Sequence, residues 1–211
     1  MKGQLSVRGY RLIDLSMFAF LLIVSQYIMV LAAVRWFPGE PYQVSSVAAI
    51  TAIVMFRWGP YGAIHAVLGG LVLCLASHAT MEQYAIYCLG NLFGLLGLLL
   101  FPAFSGEKPL TKKERADLGR EKIAGDSLKT LLYALVVQVC MQLGRGIMSM
   151  ILGTAPLTAL GFVTTDVIST LFTLLILWIV RRLDGILEEQ HHYLLRIARQ
   201  EQEERKERGG F

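Results

Sequence analysis

The chain has 211 residues, of which 55% are hydrophobic and only 17% are charged, with a formal net charge of +4. An ordinary soluble domain carries about 25% charged residues, so this composition excludes a typical water-soluble globule and favours a membrane protein. The positive charge gives little support for nucleic-acid binding, because the basic residues cluster at the ends of apolar stretches. We expect a multi-pass protein of a bacterial plasma membrane, in contact with lipid and not with nucleic acid.

Six apolar stretches follow one another along the chain. They cover residues 12–34, 43–56, 61–77, 84–101, 128–152 and 157–180. Spans near 20 residues suit a hydrocarbon core of about 30 Å, so the second and third stretches are short and need neighbouring helices. The predicted fold class is an all-α membrane protein with six transmembrane helices.

The basic residues predict the orientation of these helices. On one side of a six-span arrangement lie Lys2, Arg8, Arg11, Arg57, the seven basic residues of segment 107–129, Arg181 and Arg182. The other side has only Arg35, and its loop 153–161 carries no charge. Cytoplasmic loops are enriched in lysine and arginine, so both termini are predicted to be cytoplasmic.

Two parts of the chain are expected to differ in character. Residues 1–182 form the predicted transmembrane domain, with a cytoplasmic linker of mixed charge at about 105–127. Residues 183–211 form a polar tail whose apolar residues recur at helical spacing. This stripe consists of Leu183, Ile186, Leu187, Leu194, Ile197 and Ala198. The predicted tail helix could lie on the headgroups, continue the sixth helix or pack on a partner.

Arg145 is a charged residue inside the fifth apolar stretch, where insertion scales assign a cost of roughly 2.5–3.5 kcal/mol. Gln138 and Gln142 precede it by seven and three positions and therefore share its helix face. Asp166 lies at a similar depth in the sixth stretch. Three roles remain open for Arg145: a structural pair with Asp166, contact with a ligand, or a side chain that reaches the outer headgroups.

A second set of polar side chains lies in the same half of the predicted bundle. Tyr84, Tyr87 and Asn91 share one face of the fourth helix, and Gln26 lies near mid-depth in the first. No nucleophile–base motif and no metal-ligand spacing appears in the sequence, so we predict no enzyme activity, no catalytic residue, no metal and no cofactor.

Small residues predict close helix packing in the third and fourth spans. The third span carries Gly62, Ala66, Gly69 and Gly70, and the fourth carries Gly90, Gly94 and Gly97. Such surfaces allow transmembrane helix backbones to approach each other closely.

The short apolar helix followed by the turn in RWGPYGAIHAVLGG (57–70), and the glycine-bearing fourth helix CLGNLFGLLGLLLF (88–101), carry a family resemblance. The chain resembles the S components of energy-coupling factor transporters in the length, order and orientation of its spans. The resemblance implies high-affinity binding of a vitamin or related micronutrient. It also implies two kinds of partner: a transmembrane coupling protein and two cytoplasmic ATPases.

The family's pocket lies in the outer half of the bundle, under the loop that follows the first helix, here RWFPGEPYQ (35–43). The substrate-binding residues expected from this resemblance are Arg145, Gln142, Gln138, Asp166, Asn91, Tyr87, Tyr84, Trp36, Tyr42 and Gln26. Arg145 would meet an anionic group of the substrate, and Tyr84, Tyr87 and Trp36 would stack on an apolar ring.

A different class of function fits the same pattern. A structural or scaffold membrane protein, resembling the rod-shape protein MreD, would use the tail helix to bind a partner. Arg145 would then hold helices together without contacting a ligand. An intramembrane enzyme has the least support, because no nucleophile and base can be named.

Overall fold

The computed structural model describes residues 7–36, 44–103, 120–153, 161, 166–183, 186–187 and 190, and its regular structure there is entirely helical. The helices are α1 (Val7–Trp36), α2 (Val47–Trp58), α3 (Gly62–Ala76), α4 (Met81–Gly90), α5 (Arg120–Ile151) and α6 (Val167–Arg181). A 3₁₀ turn, Gly59–Tyr61, joins α2 to α3, and α4 continues as a 3₁₀ helix, Asn91–Ala103. The predicted all-α class is confirmed for this part of the chain.

Four helical runs of the described chain are long and apolar enough to cross a bilayer. They are Val7–Trp36, Val47–Ala76, Met81–Leu100 and Gly125–Ile151, and the apolar helix α6 is shorter. The run Val47–Ala76 is folded in two, because Gly62 packs against Met55 and Gly69 packs against Val47. Helices α2 and α3 therefore form an antiparallel hairpin.

The turn of this hairpin depends on its glycine and its proline. Gly59 has φ +60° and ψ −128°, in a region that residues with a Cβ rarely adopt. Pro60 occupies the start of the next helical segment, where its missing N–H group leaves no hydrogen bond unmade. The turn predicted between the second and third spans is confirmed.

Helix α2 is the central helix of the bundle. All twelve of its residues are buried, and it packs against α1, α3, α5, α6 and the 3₁₀ helix. The Tyr133 hydroxyl on α5 donates a hydrogen bond to the Ala52 carbonyl oxygen at 2.9 Å. A helix that is apolar around its whole circumference is expected in such a position. Neighbouring helices thus surround a segment that is too short to span a bilayer alone.

The 3₁₀ helix packs its smallest residues against α5. Asn91, Gly94 and Gly97 are buried at a spacing of three, which matches a helix with three residues per turn. A Cβ atom on Gly94 or Gly97 would overlap the side chains of Met141 and Val137, respectively. The predicted close packing of these glycines is confirmed.

Some predicted boundaries differ from the structure. Helix α5 begins at Arg120, eight residues before the predicted fifth span, because a charged sequence can continue a helix beyond the apolar part. The predicted linker therefore overlaps α5, and its residues 105–119 lie outside the described part of the chain. Most of the predicted start of the sixth span and residues 191–211 of the tail also lie outside it.

Candidate functional site

A close crossing of α4 and α5 positions Arg145. A Cβ atom on Gly90 would lie 2.7 Å from the Arg145 Cα atom, and one on Gly144 would lie 2.6 Å from the Phe93 Cβ atom. Glycine at both positions lets the two backbones approach this closely. The crossing brings Arg145 next to Asn91, the first residue of the 3₁₀ helix.

Arg145 finds its partners inside the protein. Its Nε donates to Asn91 Oδ1 at 2.8 Å, and its Nη1 donates to Asp166 Oδ2 at 2.9 Å. The guanidinium carbon lies 5.4 Å from the centroid of the Tyr87 ring. Asn91 is itself fixed by a 3.0 Å hydrogen bond from its Nδ2 to the Ala66 carbonyl oxygen. The Arg145–Asp166 pair, one of three roles considered for Arg145, is present.

The two glutamines on the same face of α5 extend this arrangement along α6. Gln138 Nε2 donates to Asp166 Oδ2 at 3.2 Å, and its Oε1 accepts from Thr173 Oγ1 at 3.1 Å. Gln142 Nε2 donates to the Asp166 carbonyl oxygen at 3.3 Å and to Thr170 Oγ1 at 3.0 Å. The predicted polar face of α5 therefore binds the first half of α6.

We call the residues that converge on this ion pair the Arg145 cluster. It consists of Asn91, Gln138, Gln142, Arg145 and Asp166. Three of the helical segments, the 3₁₀ helix, α5 and the start of α6, contribute to it. Its side chains are almost completely buried; Asp166 is the most accessible member of the ion pair, with 12% of its side chain exposed.

A second polar cluster lies where α1 meets the start of α2. Gln26 is fully buried, and its Oε1 accepts hydrogen bonds from Ser45 Oγ, the Ser46 N–H group and Ser46 Oγ at 3.1, 3.0 and 3.3 Å. The Ser45 N–H group donates to Ser169 Oγ on α6 at 3.1 Å. We call Gln26, Ser45 and Ser46 the Gln26 cluster. Helix α6 contacts both clusters, so together they form a polar layer across the bundle.

The remaining predicted site residues have mixed placements. Tyr84 is half-buried on α4, and none of the hydrogen bonds described for the Arg145 cluster involves it. Trp36 is 70% exposed at the last residue of α1. Tyr42 lies outside the described residues. The structure thus brings Tyr87 together with the members of the Arg145 cluster and places Gln26 apart from them, in a cluster of its own. The predicted aromatic contacts of Tyr84 and Trp36 stay predictions.

Two further ion pairs were missed at the sequence level. Arg57 makes two 2.8 Å hydrogen bonds to the Asp14 carboxylate, which also accepts from Trp58 Nε1 at 2.6 Å. Arg181 Nη2 lies 2.6 Å from Asp126 Oδ1. In the sequence these arginines were used only to predict the orientation of the helices. Asp14, two residues inside the first apolar stretch, is a charge that indicates a buried partner. We call this end of the bundle, where α1 begins, the basic end.

The same two arginines fix the start of the tail. Arg57 Nη1 donates to the Ile186 carbonyl oxygen at 2.6 Å, and Arg181 Nη1 donates to the Leu187 carbonyl oxygen at 3.1 Å. Leu187 is 1% exposed and belongs to the hydrophobic core. The described start of the predicted tail therefore packs on the basic end of its own bundle.

A groove of about 630 Å³ runs between α1, α2 and α6. Its walls are mostly apolar, with Asp14 and Arg57 near the basic end and Ser25 and Ser46 near the other. No member of the Arg145 cluster lines it. The groove is thus a separate feature that reaches the Gln26 cluster through Ser46.

Among the described residues, no three His, Cys, Asp or Glu side chains converge in a way that could hold a metal ion. Comparison with known proteins gives no match: no protein-family model fits the chain, and no curated protein or solved structure is significantly similar to it.

Proposed function

We propose that the protein is a plasma-membrane subunit that binds a vitamin or related micronutrient for uptake. The observation that carries the proposal is the Arg145 cluster, in which a charged pair and three amide side chains converge from three helical segments. Ionisable residues within transmembrane helices are rare, and substrate and ion pathways are among the sites that they mark. With six spans and both termini cytoplasmic, this cluster would lie in the outer half of the bilayer.

The ion pair constrains the substrate that such a site could accept. Arg145 and Asp166 together carry no net charge, so a neutral or zwitterionic polar molecule could bind without leaving an unpaired buried charge. An anionic group could reach Arg145 only if Asp166 released it. Gln138 and Gln142 would then offer amide groups that both donate and accept hydrogen bonds.

Aromatic side chains would supply the apolar part of the site. The Tyr87 ring already lies beside the Arg145 guanidinium, and Tyr84 lies on the same helix. Trp36 ends α1, and Tyr42 would belong to the loop that closes over the substrate. The resemblance to S components adds a coupling protein and two cytoplasmic ATPases as the partners that would supply energy.

A scaffold function is the second candidate, and the ion pairs favour it. Asp14–Arg57 joins α1 to α2, and Asp126–Arg181 joins α5 to α6. Arg145–Asp166 joins α5 to the residue that directly precedes α6. Every one of these pairs holds two segments of the bundle together without any ligand. In a scaffold protein resembling the rod-shape protein MreD, these ion pairs would serve only to hold the helices together.

Mass spectrometry of the protein purified in a non-ionic detergent separates the two candidates. A substrate-binding subunit should retain a small molecule at close to one per chain, and Arg145→Gln should release it. The matched control is Arg181→Gln, which breaks an ion pair of the same kind at the basic end and should retain the molecule. Absence of a retained molecule, together with no binding across a panel of vitamins, would refute the uptake proposal.

A further inference from the structure

The groove between α1, α2 and α6 is long and narrow. Helix α1 packs against α2 and α3, whereas α6 packs against α2 and α5, so α1 and α6 form its opposite walls. Its floor on α2 runs from Ser46 to Arg57, which is about 16 Å along the helix axis. A volume of 630 Å³ over that length gives a cross-section of about 40 Å². A helix with its side chains is about 10–12 Å across and needs roughly 80–110 Å², so the groove is too narrow for a partner's helix.

The groove opens to the side of the bundle. Met17 and Leu21 border it on α1, and their side chains are exposed in the described part of the chain. Both belong to the run Val7–Trp36, which is long and apolar enough to cross a bilayer. One leaflet contributes about half of a hydrocarbon core of about 30 Å, so a length of about 16 Å corresponds to one leaflet. The chain of a bilayer lipid therefore fits the groove in both length and width.

Polar side chains line the groove at the basic end. Asp14 and Arg57 are 5% and 6% exposed and form an ion pair there. Tyr10 lies one turn before Asp14 on the same face of α1, and its hydroxyl donates to Gln190 Oε1 at 3.4 Å. Tyr10 precedes the first apolar stretch and Asp14 lies just inside it, so this end is level with the membrane surface. A lipid is oriented in the same way, with its head at the surface and its chain in the hydrocarbon core.

The hydrogen bonds at the basic end define the head group that would bind there. A carboxylate has about four acceptor positions, and Arg57 and Trp58 fill three of those on Asp14. Within the described residues one position remains, on Asp14 Oδ1. The 3.4 Å contact of the Tyr10 hydroxyl is longer than the usual distance of about 2.5–3.0 Å, so a closer acceptor would replace it. A hydroxyl group satisfies both, because it can donate to Asp14 and accept from Tyr10.

The charges at the basic end of the groove disfavour an ionised head group. Arg57 neutralises Asp14, so the two residues together carry no net charge. A carboxylate or phosphate would lie beside the Asp14 carboxylate, and an ammonium group would lie beside the Arg57 guanidinium. Like charges at such short range repel each other. The head group that fits is therefore uncharged.

We propose that this groove binds a single-chain lipid with an uncharged hydroxyl head, of the monoacylglycerol class, taken from the bilayer. Its hydroxyl donates to Asp14 and accepts from Tyr10, and its chain lies between α1, α2 and α6, against Phe18 and Leu21. The site shares no lining residue with the Arg145 cluster and is independent of the uptake proposal.

Native mass spectrometry of the full chain, with 1-monoolein as the probe and oleate as its anionic counterpart, tests the head-group site. The wild type should bind one monoolein and should bind oleate at least tenfold more weakly. Tyr10→Phe removes only the hydroxyl and should weaken monoolein binding about fivefold, as expected for one hydrogen bond between uncharged groups. Tyr27→Phe, at an exposed position of α1 outside the groove, is the control and should bind as the wild type does. Equal binding of oleate and monoolein, or unchanged binding in Tyr10→Phe, would overturn the proposal.

A pair of tryptophan variants on α1 tests the chain-binding part of the groove. Leu21→Trp narrows the groove at an exposed position, so it should weaken monoolein binding at least tenfold while the protein stays folded. Leu31→Trp, at an exposed position of the same helix outside the groove, is the control and should bind as the wild type does. Unchanged monoolein binding in Leu21→Trp would overturn the proposal. A dimer of the wild type that Leu21→Trp dissociates would also overturn it, because the groove would then bind a second copy of the chain.

Discussion

The Arg145 cluster and the start of α2 are two buried polar regions of one bundle, and they differ in whether donors and acceptors balance. In the Arg145 cluster, the guanidinium, the carboxylate and the amides of Gln138 and Gln142 bind one another. At the start of α2, the Gln26 Nε2 atom and the backbone N–H groups of Ala48 and Ala49 have no acceptor among the described residues. A buried region in which donors and acceptors match stabilises the fold, whereas unmatched buried donors cost free energy.

Removing one partner of the Arg145–Asp166 ion pair should cause the largest loss of stability. Asp166→Ala leaves the buried Arg145 charge without its carboxylate partner, beside the neutral Asn91 amide and the Tyr87 ring. The free energy of unfolding should therefore fall by about 3–5 kcal/mol. Thermal or denaturant unfolding of the purified protein in detergent measures the effect. The double variant Arg145→Met with Asp166→Leu should recover most of the loss, since no charge then remains unpaired. If Asp166→Ala leaves the free energy of unfolding unchanged, the ion pair is not a stabilising contact.

The helix crossing that places Arg145 beside Asn91 should be the next most sensitive feature. Gly90→Ala brings a methyl group within 2.7 Å of the Arg145 backbone, and such overpacking typically costs about 1–3 kcal/mol. Gly125→Ala is the control, because no atom lies within 4 Å of its added Cβ and alanine favours a helix. Unfolding measurements should give Gly90→Ala a clearly lower free energy of unfolding than Gly125→Ala. Equal stability would refute the close crossing.

A single matched hydrogen bond in the middle of α2 should matter less. Tyr133→Phe removes the hydroxyl that donates to the Ala52 carbonyl oxygen, and the expected loss is about 1 kcal/mol. The conservative change keeps the ring, which packs edge-on against Phe56 at 5.9 Å. The change in the free energy of unfolding of this variant thus measures the contribution of one satisfied hydrogen bond on α2. A loss as large as that of Asp166→Ala would contradict the ranking.

Much of the Arg145 cluster was predictable, because its members are related by helical periodicity and depth. Gln138, Gln142 and Arg145 share a face of any α-helix, and Asp166 was placed at the same depth by counting residues. The contact with Asn91 was not predictable as such. It depends on the Gly90–Gly144 crossing and on the change from α-helix to 3₁₀ helix at Asn91, which periodicity alone does not reveal.

The unmatched donors at α2 could not have been found in the sequence. Gln26 is recognisable as a polar residue at mid-depth, but its partners Ser45 and Ser46 reach it only because the chain folds back after α1. The second apolar stretch was predicted to begin at residue 43, four residues before α2 begins at Val47, and that start decides which N–H groups lack acceptors. Asp14 illustrates the opposite case, since its position in an apolar stretch was visible and its partner Arg57 could have been sought.

The most direct test of the difference between the two regions compares Gln26→Glu with Gln138→Glu by unfolding in the same detergent. Both side chains are at most 1% exposed, so the cost of burying the new charge is closely matched. Gln26→Glu adds an acceptor where donors are unmatched, whereas Gln138→Glu places a second carboxylate against Asp166. We predict that Gln138→Glu unfolds more easily, by at least about 1 kcal/mol. Equal loss in both variants, or a greater loss in Gln26→Glu, would contradict the account.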